Sequence, residues 1–310
     1  MAVTITTTYA GKDLKTIISA AVLSGATLSQ NAVKILTGVK YKTPIKRLNS
    51  GDIVQDATCD FTPAGAVTFD EHVLEVKPLE VNLQICKTDF LSTWEADEMG
   101  ASAWDNNPKA FQKALVAHVA AKVSATIERT MWQGDDSSSL PFNGFETILT
   151  NDTDVIPVTG DAAGVTPDNV LVEMGKTVDG ATVEMRTQDG LTLYISRNVA
   201  DAYIRALGGF GTAGVGANGV DARGAMWYGG QALSFDGIPV FIANGMSSDR
   251  MVLTMKDNLV FGTGILPDFT KVALIDQTPI DGSDNVNVIM KFTGGCQDGF
   301  GGDAVLYTKA

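Results

Sequence analysis

Residues 106–134, NNPKAFQKALVAHVAAKVSATIERTMWQG, carry the strongest structural signal in the chain. Phe111, Leu115, Val119, Val123, Ile127 and Met131 recur every four residues, Val116 and a run of alanines widen the stripe, and the positions between are largely polar. That pattern predicts one amphipathic helix. Its ends are punctuated. Asn107 can cap the start, Pro108 suits a first turn whose N–H has no intrahelical partner, and Gly134 stands where a left-handed residue closes a helix. At 1.5 Å per residue, residues 108–133 would span about 39 Å, roughly twice the mean globular length. The rest of the chain reads as material built on this spine.

Upstream, residues 3–30 hold Thr-rich extended sequence and a short apolar helical stretch, TIISAAVLSGATLS, with too little bulk for a core of its own; an arm packed on something else is expected. Residues 40–69, KYKTPIKRLNSGDIVQDATCDFTPAGAVTF, hold two strand-like runs with a turn signal at Pro63, Ala64 and Gly65, which predicts a long hairpin. Residues 72–87, HVLEVKPLEVNLQICK, alternate with period two, and Pro78 assigns part of the run to an edge or bulge. A short acidic helix, TDFLSTWEADEM, leads from there into the spine.

Downstream, residues 134–149 read as a turn-rich return and residues 151–169 as polar loop. A helix opens at residues 168–174, LTLYI at 191–195 is an apolar strand, residues 198–207 are helical up to Gly208, and IPVFIA at 238–243 is a second buried strand with MVLTM and LVFGT behind it. Residues 145–263 are therefore expected to hold an α/β core of their own. In the tail, FTKVALIDQ, NVNVIMKFTG and AVLYT read as three strands pairing with residues 72–87.

Composition narrows the function. The chain has 310 residues, 45% hydrophobic and 19% charged, which is globular rather than disordered. A net charge of −13 argues against a sequence-specific nucleic-acid binder, since neutralising phosphates takes clustered Lys and Arg. Lys34, Lys40, Lys42, Lys46 and Arg47 form the one dense basic stretch and read as a solvated or subunit-contact face. Cys59, Cys86 and Cys296 are odd in number and far apart, as reduced cytosolic thiols would be. The start shows no charged segment followed by an apolar one, and no apolar run has membrane-spanning length, so a cytoplasmic protein is expected.

Chemistry is not written in this sequence. GVGANG at residues 214–219 matches GxGxxG but lacks the strand before it and the helix after it, and nine glycines among residues 208–230 fit a surface loop better than a phosphate cradle. His72 and His118 are the only histidines and belong to no HxH, HExxH or Cys/His cluster. Asp135 with Asp136, Asp152 with Asp154, and Asp281 with Asp284 could hold a hard cation, but their turn context favours capping. No residue is nominated as catalytic, cofactor-binding or metal-ligating, and no cofactor is expected.

The order of elements (arm, hairpin, strand, spine helix, α/β block, closing strands) resembles the major capsid proteins of tailed bacteriophages, the Hong Kong 97 fold. Local matches carry the resemblance: IERTMWQGDDSSSLPFNGFETIL (127–149) is similar to the spine-helix end, LTLYISRNVADAYIRAL (191–207) and FDGIPVFIANGM (235–246) to the axial (A) domain, and KFTGGCQDGFGGDAVLYT (291–308) to the closing strands of the peripheral (P) domain. The resemblance implies an α+β capsid fold divided into an N-terminal arm (1–44), an extended hairpin or E loop (45–72), a P domain (73–144) with spine helix 108–133, an A domain (145–264) and closing P-domain strands (265–310). Many family members begin with a scaffolding segment that a protease removes. Here the arm starts almost at Met1, which leaves a separate scaffolding protein, none, or a processed chain.

The implied function is structural and non-enzymatic: self-assembly into homopentamers and homohexamers of an icosahedral head around double-stranded DNA, in a virion assembled in the host cytoplasm. Partners would be copies of the chain itself, with separate scaffolding, portal and decoration proteins, packaged DNA held without specific contact, and no membrane. By resemblance residues 208–230 would face the capsomer axis, with Trp227 and Tyr228 anchoring the loop's return. Two rivals stand beside this reading. An encapsulin-type shell resembles the same fold but encloses enzymes. An α/β enzyme centred on residues 145–263, with the glycine loop as lid, would need a pocket of converging polar groups with perturbed pKa values.

Overall fold

A computed structural model of the chain describes residues 26–50, 54–57, 59, 65, 67–86, 109–137, 140–207, 233–265 and 272–310. The arm before residue 26, the hairpin tip, the acidic helix at 88–99, the caps Asn107 and Pro108, and the glycine loop at 208–230 lie outside these residues. Described helices are α1 (Ala26–Ser29), α2 (Lys109–Gln133), α3 (Phe145–Asn151), α4 (Val170–Asp179), α5 (Val183–Arg186), α6 (Arg197–Leu207) and α7 (Thr278–Asp281). The strands are β1 (Lys34–Leu36), β2 (Lys42–Ser50), β3 (Val67–Glu75), β4 (Lys77–Cys86), β5 (Ile156–Thr159), β6 (Leu191–Ser196), β7 (Ser234–Phe235), β8 (Ile238–Ala243), β9 (Met251–Met255), β10 (Leu259–Gly262), β11 (Ala273–Asp276), β12 (Asn285–Asp298) and β13 (Ala304–Thr308).

The first sheet is organised by β12, whose alternation puts Val286, Val288, Met290 and Phe292 on one buried face. It pairs antiparallel with β4 from Asn285↔Cys86 to Gly294↔Lys77, with β11 from Ala273↔Ile289 to Asp276↔Val286, and with β10 through its last four residues; β1 joins β10 in parallel. The spine α2 lies against this sheet. Val119, Val123, Ile127 and Met131 meet Ile85, Val288, Met290 and Phe292 in one core, so the period-four stripe and the two period-two strands fill each other's faces. Pro78 sits opposite Thr293, and β4 pairs with β12 alone among the described residues, the edge position its missing N–H tolerates.

The second sheet runs in the order β5-β13-β9-β6-β8-β7. Leu193, Ile195, Met251, Leu253, Val305 and Tyr307 point to α4 and α6, whereas Tyr194, Val252, Ala304 and Leu306 point to the spine core with Trp132, Phe145 and Leu149. Both faces are buried, which is why LTLYI, MVLTM and AVLYT read as unbroken apolar runs.

Several expectations need correction. The run at 72–87 is two strands. Val76 breaks it, donating its N–H to the Tyr41 carbonyl at 2.8 Å and packing with Val39, Leu74 and Val260. The corner can rest on the sheet because a Cβ on Gly295 would collide with the Glu75 carbonyl, and one on Gly262 would come within 2.6 Å of Leu74. Of the three tail strands, only β12 pairs with residues 72–87 among the described residues: β11 pairs with β12, and β13 (AVLYT) lies between β5 and β9, where its alternate residues have an apolar layer on each side. LVFG, in turn, belongs to the first sheet rather than to the α/β core. IPVFIA is mostly half-buried; among the described residues β8 has the two-residue β7 as its outer neighbour in the sheet. Helix α3 and strand β5 replace the expected loops. Gly134 is not left-handed, being absent from the positive-φ glycines. Its role is close approach: its N–H donates to the Thr130 carbonyl at 2.8 Å, its carbonyl accepts from Gly144 at 2.9 Å, and any Cβ would strike the Phe142 carbonyl.

Candidate functional site

The hairpin β2–β3 is a two-stranded ribbon in register from Lys42↔Glu75 to Ser50↔Val67. Such a ribbon is marginal alone, and here its inner face is tied down at the root. Leu74 is fully buried, Arg47 Nη1 donates to Asp303 Oδ2 with its guanidinium 5.1 Å from the Phe300 ring centre, and His72 Nδ1 lies 3.1 Å from Asp298 Oδ1. The sequence marked none of these anchors, because Asp298 and Asp303 come from the far end of the chain.

The outer face is different. Opposed residues share a face, so Leu48 and Phe69 stand side by side, as do Pro44 and Val73, with Val67 next along. Leu48 is 63% exposed, Phe69 73% and Val67 60%. The apolar pairs are interleaved with ion pairs Lys42–Glu75 at 3.0 Å and Lys46–Glu71 at 3.6 Å. The basic stretch is thus divided: Lys42 and Lys46 remain on the solvated face, while Arg47 turns inward. Exposed apolar pairs gathered on one face of a ribbon, with ion pairs between them, are the kind of surface a macromolecular partner covers. A second apolar surface, a groove of about 420 Å³, opens between β4 and α2; Leu79, Val81, Val123, Ile127 and Phe142 line it, with exposed Glu80 and Lys122 at its sides.

The chain entering from the arm is pinned to the spine. Thr27 donates its N–H to Glu128 Oε2 at 3.1 Å and its hydroxyl to Glu128 Oε1 at 2.5 Å, and the Trp132 indole N–H donates to Thr27 Oγ1 at 3.0 Å. Tyr194 hydroxyl donates to the Ala32 carbonyl at 2.5 Å. A Glu at i and a Trp at i+4 on the buried side of a helix was the available signal. Burial pushes the Glu128 carboxyl up, against the hydrogen bonds from Thr27. A raised folded-state value means that charged Glu128 costs stability above that value and the cost vanishes as pH falls toward the unfolded value of 4.5. Thermal unfolding of wild type and Glu128→Gln between about pH 4 and about pH 7.5 should therefore show wild type gaining on the variant as pH falls. A difference independent of pH would contradict the desolvation.

Among the described residues, enzyme-like features are sparse. His118 is exposed on α2. A shallow polar cleft in the α/β block holds Glu146, Thr147, Ser247 and Arg250. Burial pushes Glu146 up, but its Oε1 already accepts the Ser247 N–H at 2.6 Å and Arg250 Nε stands 3.9 Å from Oε2, an arrangement that ties α3 to the loop before β9. The acidic turns do cap: Asp135 accepts from Ser137, Asp281 from Ser283 and Asp152 from the Asp154 N–H. Asp152 also meets Asp298 at the hairpin root. Burial, and then the neighbouring Asp152 carboxyl, push Asp298 up, with His72 opposing. Cys59, Cys86 and Cys296 form no disulfide among the described residues.

No protein-family model matches the chain, and no curated protein matches it in sequence. Solved structures do match. The capsid of the native GTA particle, computed with C5 symmetry, superposes with a TM-score of 0.65 at 16% identity, over 96% of this chain and 95% of that one. The capsid of Myoviridae phage XM1 gives 0.60 at 12% identity over 100% and 99%. Mycobacterium phage Che8 gives 0.56 at 11% over 96% and 95%. The expected mixed α+β fold is therefore the observed one, shared over nearly the full length with solved capsid chains.

Proposed function

We propose that this chain is a major capsid protein, a non-enzymatic subunit that assembles with copies of itself into the pentamers and hexamers of an icosahedral phage head around double-stranded DNA. The observation that carries the reading is the set of exposed apolar pairs on the outer face of the hairpin, Leu48 with Phe69 above all, on a chain whose fold matches solved capsid chains over nearly its full length. A surface that meets a different surface on the next copy makes a heterologous contact, and such contacts form rings where the rotation between copies closes. The hairpin face and the α2–β4 groove are two such surfaces: both are apolar, and Lys46 and Glu71 on one can meet Glu80 and Lys122 on the other.

In this reading the spine with β4, β11 and β12 belongs to the P domain (73–144 and 265–310), and β5 to β9 with α4 and α6 belong to the A domain (145–264), whose β10 reaches into the first sheet. β13 then crosses from the closing segment into the A-domain sheet and ties the two together. A net charge of −13 keeps the wall from adhering to packaged phosphate. Scaffolding, portal and decoration proteins are further partners in the same reading, and the virion is the resulting location. Sedimentation velocity of the purified full chain tests it: fast, homogeneous particles with the absorbance spectrum of protein or of protein plus DNA are expected. A single species at monomer mass under all ionic strengths would overturn the proposal.

A further inference from the structure

The root of the hairpin holds a donor set that the capsid reading does not use. A ring nitrogen of His72 and one carboxylate oxygen each from Asp152 and Asp298 lie within 4.8 Å of one another. They come from three elements: β3 of the hairpin, the C-terminal end of α3, and the last residue of β12. Asp298 is fully buried, and its Oδ2, like Oδ2 of Asp152, has no hydrogen-bond partner. The cation nearest at hand in the sequence of anchors, Arg47, is engaged by Asp303. Two carboxylates therefore face each other with an imidazole as their shared neighbour, an arrangement whose repulsion a bound cation relieves, as would a proton.

We propose that His72, Asp152 and Asp298 bind one divalent ion of the zinc class, which clamps the hairpin root to the body of the subunit. One imidazole nitrogen and two carboxylate oxygens, with a fourth position left to water, is a zinc-type donor set, whereas calcium takes six to eight oxygens. With bonds near 2.1 Å, tetrahedral donors stand about 3.4 Å apart. His72 Nδ1 and Asp298 Oδ1, at 3.1 Å, are already close to that spacing, and no donor pair is more than 4.8 Å apart before the ion draws them in. The ligands are oriented from outside: Gln297 Nε2 donates to Asp298 Oδ1 at 2.7 Å, the Asp154 N–H donates to Asp152 Oδ1 at 2.9 Å, and the Phe300 ring centre lies 5.6 Å from that of His72. The His72 side chain is 26% exposed and gives the ion a way in, while that of Asp298 is 1% exposed. Because β3 carries His72 and the other two ligands belong to the body, the ion fixes the angle at which the ribbon projects.

The test uses the full-length subunit, freed of metal with a chelator and titrated with zinc chloride by calorimetry, so it is independent of whether shells form. One equivalent should bind. His72→Gln and Asp152→Asn, both partly exposed positions where folding is checked by circular dichroism, should each weaken binding at least about a hundredfold, while His118→Gln and Cys59→Ser leave it unchanged. Zinc should also slow amide exchange across residues 67–75 in wild type and not in Asp152→Asn. Absence of zinc uptake, uptake unaltered in His72→Gln and Asp152→Asn, or uptake lost with Cys59→Ser would each overturn the proposal, a shared proton between the two carboxyls then being what balances their charge.

Discussion

Leu48→Glu combined with Phe69→Glu is expected to leave a folded subunit that forms no shells. Both side chains are mostly exposed in the subunit; they lie opposite each other on the hairpin's outer face, so the two new carboxylates repel across the ribbon, and the subunit should lose no more than about 1 kcal/mol. In an assembly that covers this face, the same change puts two unpaired carboxylates against an apolar partner surface, at a cost of several kcal/mol per contact. At about 1.4 kcal/mol per tenfold, association falls by at least a hundredfold at every contact, and a closed shell repeats that contact throughout. Thermal unfolding should shift only slightly while sedimentation shows subunits only. Normal particles from the double variant would remove the hairpin face from the interface.

The largest effect on folding should come from Gly144→Ala. Gly144 has φ −86° and ψ 170°, a conformation that alanine adopts freely. The obstacle is space: a Cβ there would stand 2.5 Å from Gly134 N, 2.6 Å from the Thr130 carbonyl and 2.6 Å from the Trp132 carbonyl, all main-chain atoms. To relieve the overlap the return segment must leave the spine end, and with it Phe145 and Leu149 leave Trp132. Loss of such packing costs about 3–5 kcal/mol for a large aromatic alone, enough to remove most of a marginal protein's stability. No soluble folded protein is expected. Gly175→Ala is the contrast, since nothing lies within 4 Å of its added Cβ in the middle of α4, and a gain of about 0.5–1 kcal/mol is expected. Soluble Gly144→Ala with a wild-type thermal midpoint would show that the two segments do not meet as described.

What the sequence made legible follows from which interactions are local. The spine, β4 and β12 were readable because each buries one face and so keeps its own period, and β6, β9 and β13 because burial on both faces makes the run continuous. Helix α3 was missed because it is seven residues long and its N-cap, Gly144, makes no side-chain bond; it is held by Phe145 and Leu149 against the spine. Strand β5 was missed because Pro157 interrupts a four-residue run that is stabilised only by its partner β13. The sheet of β13 could not be read from AVLYT itself, since pairing partners are chosen by tertiary fit. At the hairpin, the ribbon was visible but its anchors were not. Arg47 looked like one more solvated cation and His72 like an isolated imidazole, and both acquire their meaning from Asp298, Phe300 and Asp303, which close the chain. Glu128 and Trp132 likewise needed Thr27 to become an anchor for the arm.

Electron cryomicroscopy of particles formed by the purified full chain tests the central claim most directly. The account predicts closed shells built of five- and six-membered rings, with the outer face of each hairpin, at Leu48 and Phe69, covered by the neighbouring subunit near its α2–β4 groove. Discrete subunits without shells, or shells in which that face is open to solvent, would contradict it.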